Sequence, residues 1–249
     1  MRKNIGPITA AYLLLFFSLS FATPSTELWT AGTTDIQPYG VTHIGIDNYF
    51  TVFRKAADGA GGFPTDAGLT IGILPFSKVQ MEIGIDLLEP LDYPVMGNAK
   101  LGVPEDGFFK GQPGLAAGIF NVGTKKDVTD YNIGYAAIGK TVPVIGRLFI
   151  GGYMGNKNVL GGNTDKGVTI AWDRSFLPAK GAGGADYSRI LLCADLATGR
   201  NFYGGGGAGI ALYFNENISI LTGPIFFNDE SLNGKWKWTT QLDINVKTW

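Results

Sequence analysis

The chain offers few residues with obvious chemistry. His43 is its one histidine and Cys193 its one cysteine, and a metal centre of the zinc type needs several such ligands gathered together. No histidine- or cysteine-rich metal site is therefore expected. His43 stands in Thr42-His43-Ile44-Gly45, with no serine beside it. A triad built from distant segments remains a question of geometry; the plainer reading is an inward polar residue near Asp47. Cys193 is far from the N-terminus, so it is neither a lipid-attachment site nor half of an internal disulfide. Gly204, Gly206 and Gly209 spell G-x-G-x-x-G, but a dinucleotide site needs that turn to open a helix after a strand. The next residues, Ile210 to Phe214, alternate like a strand instead. Close packing and sheet curvature explain these glycines better. The sequon Asn217-Ile218-Ser219 adjoins a predicted tight turn and carries no functional reading. No catalytic residue is assigned.

The charged residues are more informative, because of the elements that carry them. In Lys235 to Trp249 one parity reads Trp236, Trp238, Thr240, Leu242, Ile244, Val246 and the other Lys235, Lys237, Thr239, Gln241, Asp243, Asn245, Lys247. A β-strand sends successive side chains to opposite faces, so this segment has one apolar and one polar face. It is also long enough to cross a bilayer, for which about 9–11 tilted residues suffice. Two tryptophans at one end suit an interfacial girdle. Residues 77–88 repeat the pattern, with Val79, Met81, Ile83, Ile85 and Leu87 opposite Lys78, Gln80, Glu82 and Asp86. The polar faces supply candidate lumen-lining residues: Lys78, Glu82, Asp86, Lys100, Lys140, Arg147, Asp195, Lys237, Asp243 and Lys247. They either tune which solutes pass or form cross-strand ion pairs that stiffen a narrow interior.

Residues 1–22 read as a secretory signal: Arg2 and Lys3, an apolar core from Ile8 to Phe17, and small residues at Ser20 and Ala22. Its removal takes 20 basic residues to 18 against 21 acidic ones, a net charge of −3. No basic bias points to nucleic acid. No later apolar run is long enough for a transmembrane helix. Hydrophobic residues make up 45% and charged residues only 16%, with 37 glycines; a soluble chain normally carries about 25% charge. The organisation expected is a signal at 1–22, a periplasmic segment at 23–39 and a transmembrane barrel at 40–249.

Twelve strands are predicted: 40–53, 68–75, 77–88, 95–103, 113–123, 131–142, 145–155, 167–174, 189–196, 204–214, 217–227 and 235–249. Bacterial barrels use even numbers. The tightest predicted links, Pro75-Phe76, Pro143-Val144 and Asn215-Glu216, all fall on the expected periplasmic side, while longer stretches such as 54–67 and 156–166 fall outside. Short periplasmic turns and long outer loops are the usual asymmetry. The links 104–112 and 173–188 break it, which predicts either small folded plugs or a different strand count there. A hairpin joining 77–88 to 95–103 through 89–94 sets Glu82 opposite Lys100. A secreted β-sandwich would share the alternation; the signal, the tryptophans, the terminal aromatic and the up-and-down rhythm favour the barrel.

The chain resembles Gram-negative outer-membrane β-barrels, of the porin-like and uncharacterised kinds. The likeness rests on Asn98-Ala99-Lys100-Leu101, Tyr131-Asn132-Ile133-Gly134-Tyr135, Ala197-Thr198-Gly199-Arg200-Asn201 and Leu242-Asp243-Ile244-Asn245-Val246. It implies an all-β fold, a closed antiparallel up-and-down transmembrane barrel of about twelve strands in the cell outer membrane. It implies contact with membrane lipid and with the barrel-assembly machinery. Trp249 departs from the pattern by sharing the polar parity of Lys247; a bulge or frayed end would reconcile it. Outer-membrane phospholipases of this size class pair a histidine with a nearby serine, which Thr42-His43-Ile44 lacks. The function expected is a passive channel for small polar solutes, with no enzyme activity and no cofactor. A closed structural or adhesion barrel and, last, a lipid hydrolase are the alternatives.

Overall fold

A computed structural model describes residues 27–53 and 64–249. The expected signal and the link residues 54–63 lie outside the described residues. Twelve strands form one closed barrel: β1 41–50, β2 65–72, β3 80–89, β4 95–103, β5 114–123, β6 133–142, β7 146–154, β8 166–180, β9 186–197, β10 205–215, β11 218–227 and β12 237–247. Each strand pairs antiparallel with its neighbours in sequence, and β12 closes on β1 from Val41↔Lys247 to Phe50↔Trp238. Closure leaves no strand edge without a backbone partner, the condition for crossing lipid. No helix among the described residues is long and apolar enough to cross a membrane.

The period of two sorts the side chains as the alternation predicts. On β12, Lys237, Thr239, Gln241 and Asp243 are buried, while Trp238 and Val246 are exposed and Leu242 and Ile244 half-buried. On β3, Glu82 is buried and Ile83, Ile85 and Leu87 are exposed. Facing positions build an outward aliphatic row, Leu115, Ile138, Ile150, Ile170 and Leu196, across β5 to β9. All five are exposed, a contiguous apolar surface that water would not favour and lipid would.

Several boundaries differ from expectation. The β2–β3 link is not the tight Pro75-Phe76 turn but runs over 73–79, because β2 begins at Thr65 and ends at Gly72. Lys78 therefore lies in that link. The long link 173–188 is mostly strand: β8 and β9 keep pairing to Lys180↔Asp186 around a short turn at 181–185. The other exception, 104–113, is a folded loop in which Asp106 N–H donates to the Gln112 carbonyl at 3.1 Å and Glu105 pairs with Lys140 of β6 at 2.7 Å. β12 stops at Lys247, so Trp249 falls outside the strand phase and sets its ring 6.1 Å from that of Tyr39.

Candidate functional site

The interior is where the polar faces converge, and it is already occupied. Residues 27–37, expected to lie in the periplasm, are threaded through the barrel. Glu27, Leu28, Thr30, Ala31, Thr33, Ile36 and Gln37 are all 6% exposed or less. Residues 27–29 bend, with the Glu27 N–H donating to the Thr30 carbonyl at 2.9 Å, and 30–37 continue as irregular chain. The physical reason for the correction is the fit of segment to wall. Asp195 Oδ2 accepts backbone N–H groups from Leu28, Trp29 and Thr30 at 3.1, 2.7 and 2.7 Å. Farther along, Arg147 donates to Asp35 at 2.7 Å, and Glu82 accepts the Gln37 N–H at 2.5 Å. Lys100 Nζ donates to Thr33 Oγ1 at 3.3 Å.

Inward glycines make the room. A Cβ at Gly209 would lie 2.8 Å from Leu28 Cδ1, and one at Gly72 would lie 2.2 Å from the Gln37 carbonyl oxygen. Leu28 packs instead with Leu191, Cys193, Ala211, Leu221 and Ile225 in an apolar cluster inside the barrel. The letters G-x-G-x-x-G at 204–209 thus belong largely to a strand, and Gly209 makes space for a side chain rather than a phosphate.

The ten sequence-assigned lumen residues divide accordingly. Glu82, Lys100, Asp195, Lys237 and Asp243 are buried on the inner face. Glu82 sits opposite Lys100, in the expected register. Asp86 is half-buried and accepts a hydrogen bond from Asn98 at 2.7 Å. Arg147 bridges Asp35 and Asp173, with its Nε 2.9 Å from Asp173 Oδ1. Lys140 pairs with the 104–113 loop. Lys78 and Lys247 are corrected: both are exposed, Lys78 in the β2–β3 link and Lys247 at the end of β12.

His43 faces inward, 3.1 Å from Asn245 and 3.5 Å from Asp243, rather than beside Asp47. Ser219 donates to the same Asp243 at 3.2 Å. The carboxylate therefore stands between serine and histidine, whereas an activated nucleophile needs the imidazole in the middle. This order does not activate Ser219. Among the described residues no group of three His, Cys, Asp or Glu could hold a metal ion.

Asp195 is the best-defined anchor. Asp195→Asn should lower stability in lipid vesicles by about 1–3 kcal/mol, because a charge-assisted acceptor for three buried N–H groups is weakened. Asp186→Asn, at a half-exposed surface pair, should leave the unfolding midpoint unchanged.

Beside the threaded segment a cavity of about 150 Å³ remains. It runs along β1 to β6, with Asp47, Asp66, Asp86, Tyr49 and Tyr135 on the wall and Trp29 on the segment. Sequence reasoning missed Asp66, which it placed in a link, and missed the segment, which shows no alternation. The only hint was the glycine content of the inner faces.

These features define a β-barrel of the membrane-spanning kind: a closed twelve-stranded wall, apolar outside, polar and filled within. Among solved structures, the KdgM porin matches with a TM-score of 0.50 at 8% identity, over 82% of this chain and 98% of that one. Outer membrane phospholipase A from Escherichia coli matches at 0.45 and 13% identity, over 87% and 96%. A mutant of the Rh. blastica porin matches at 0.41 and 12% identity, over 89% of this chain and 66% of that one. No family model and no curated protein sequence matches. The likeness to the KdgM porin is one of fold, and the exposed apolar row gives the barrel a surface suited to lipid.

Proposed function

We propose that the protein is a passive, narrow outer-membrane channel for small polar solutes, without enzymatic activity, in which residues 27–37 form the constriction. The observation that supports this reading is the cavity left beside the segment, walled by polar and aromatic side chains inside a closed barrel. Rings of charge and a small cross-section select solutes by size and sign. Of the charges first assigned to selectivity, Asp195, Arg147 and Glu82 hold the segment, so selectivity falls to Asp47, Asp66 and Asp86. The strand end at Lys247 would be presented to the assembly machinery, with Trp249 held apart from it.

Planar-bilayer recording of the full-length mature barrel tests this. Small, ohmic, cation-preferring currents are expected. A folded barrel that carries no current would overturn the channel reading and favour a closed structural barrel, which the depth of burial of residues 27–37 would then explain.

A further inference from the structure

The β2–β3 and β4–β5 links lie side by side, at the end of the barrel that also carries the tight turns 143–145 and 216–217. Short turns mark the periplasmic end. In these two links Phe76, Phe108 and Phe109 are 60%, 57% and 66% exposed. The 104–113 loop is nonetheless folded. Gly107 N–H donates to the Pro104 carbonyl and Gln112 N–H to the Phe109 carbonyl, both at 3.1 Å, and the Gln112 side chain accepts the Phe108 N–H at 2.9 Å. Glu105 ties the loop to β6 by accepting the Thr141 N–H and hydroxyl at 2.9 and 2.7 Å. The fold satisfies the loop's polar groups and leaves both phenylalanines outside, which marks a contact surface. The charges sort the same way. Glu105 is engaged by Lys140, and Asp106 accepts the Gly111 N–H at 2.6 Å and stands 3.9 Å from the same lysine. Lys78 and Lys110 are exposed, and among the described residues neither is in an ion pair. Lys78 Nζ is 5.8 Å from the Phe108 ring centre, which joins the two links into one ledge.

We propose that this ledge, formed by Phe76, Lys78, Phe108, Phe109 and Lys110, docks on anionic phospholipid headgroups at the periplasmic face of the membrane. Two observations select lipid as the occupant. The ledge continues the lipid-facing wall, since Leu101 and Leu115 are exposed on the strands that lead into and out of the loop. Farther round the same rim Val144 and Ile145 are exposed, and Trp172, on the outward parity of Ile170, donates its ring N–H to the Ile145 carbonyl at 2.9 Å. A tryptophan with an apolar body and a polar tip sits at headgroup level. The phenyl rings then enter the acyl boundary, while the two ammonium groups reach the phosphates above it. Charge chooses among the lipids: two lysines without carboxylate partners favour a headgroup of net negative charge over a zwitterionic one. The inference rests on the barrel lying in a bilayer and is independent of the channel reading.

A bimane fluorophore on Phe109→Cys, in the full-length barrel reconstituted into vesicles, reads the contact. Cys193 is buried, and the unsubstituted chain gives the labelling background. Phosphatidylglycerol with a nitroxide on its headgroup should quench the dye about threefold more than nitroxide phosphatidylcholine at equal mole fraction. Lys78→Gln with Lys110→Gln should equalise the two lipids, and concentrated salt should narrow the difference by screening. Iodide on both sides of the bilayer should quench this dye far less than the same dye on Lys126→Cys, exposed in the link 124–132 at the opposite end. Both exchanged lysines are exposed, so the double variant should fold; heat-modifiable gel mobility checks this. Equal quenching by the two lipids, a preference kept by the folded double variant, or iodide access equal to that at Lys126→Cys would overturn the proposal. The last result would leave the ledge to a water-soluble partner. A dye on Ile150→Cys separates the two readings: shielding there, with free iodide access at Phe109→Cys, removes the ledge and leaves the membrane wall standing.

Discussion

Removing residues 27–36 behind an intact export signal should raise the unitary conductance of reconstituted barrels several-fold. The segment fills the interior from the Asp195 anchor to the Glu82 contact, so its loss opens the full bore between inward glycines. The wall should survive, because its twelve strand pairings are made between wall strands and not through the segment. Asp195 and the Arg147–Asp173 pair would then meet water, which relieves much of the cost of losing buried partners. Retained heat-modifiable mobility with conductance equal to that of the intact protein would show that the segment is not the constriction. Partial release offers a second route. Asp195→Asn should increase the frequency of transient larger openings without changing the fully open level.

Ile150→Arg should lower stability in lipid vesicles by about 2–4 kcal/mol, the range for a cation near the bilayer midplane. Ile150 is mid-strand on β7, 56% exposed, and flanked by Ile138 and Ile170. The same substitution at Met154, the last residue of β7 and also exposed, should cost about 0–1 kcal/mol, as the charge reaches the interface. Equilibrium unfolding in urea from vesicles reads both. Equal, small effects at the two positions would mean that this face meets water, as in a soluble sandwich.

Much of the wall could be read from sequence, because a period of two is a local property. Glu82 and Ile83 differ by one residue and fall on opposite sides of the barrel, as alternation requires. The Glu82↔Lys100 register followed from the length of one hairpin link. Where pattern weakened, boundaries slipped: Asp66 looked like link, and the β8–β9 extension, interrupted by Pro178, looked like loop. Tertiary structure alone decided what fills the barrel. Residues 27–37 have no alternation, since they pair with no strand; their partners are Asp195, Arg147 and Glu82, distant in sequence and brought round by closure. The same closure turned presumed selectivity charges into anchors and put Asp47, Asp66 and Gln241 in one row. Alternation says which face a side chain takes. What it meets there depends on strands far away in the chain, and on a segment whose place inside only a closed wall can define.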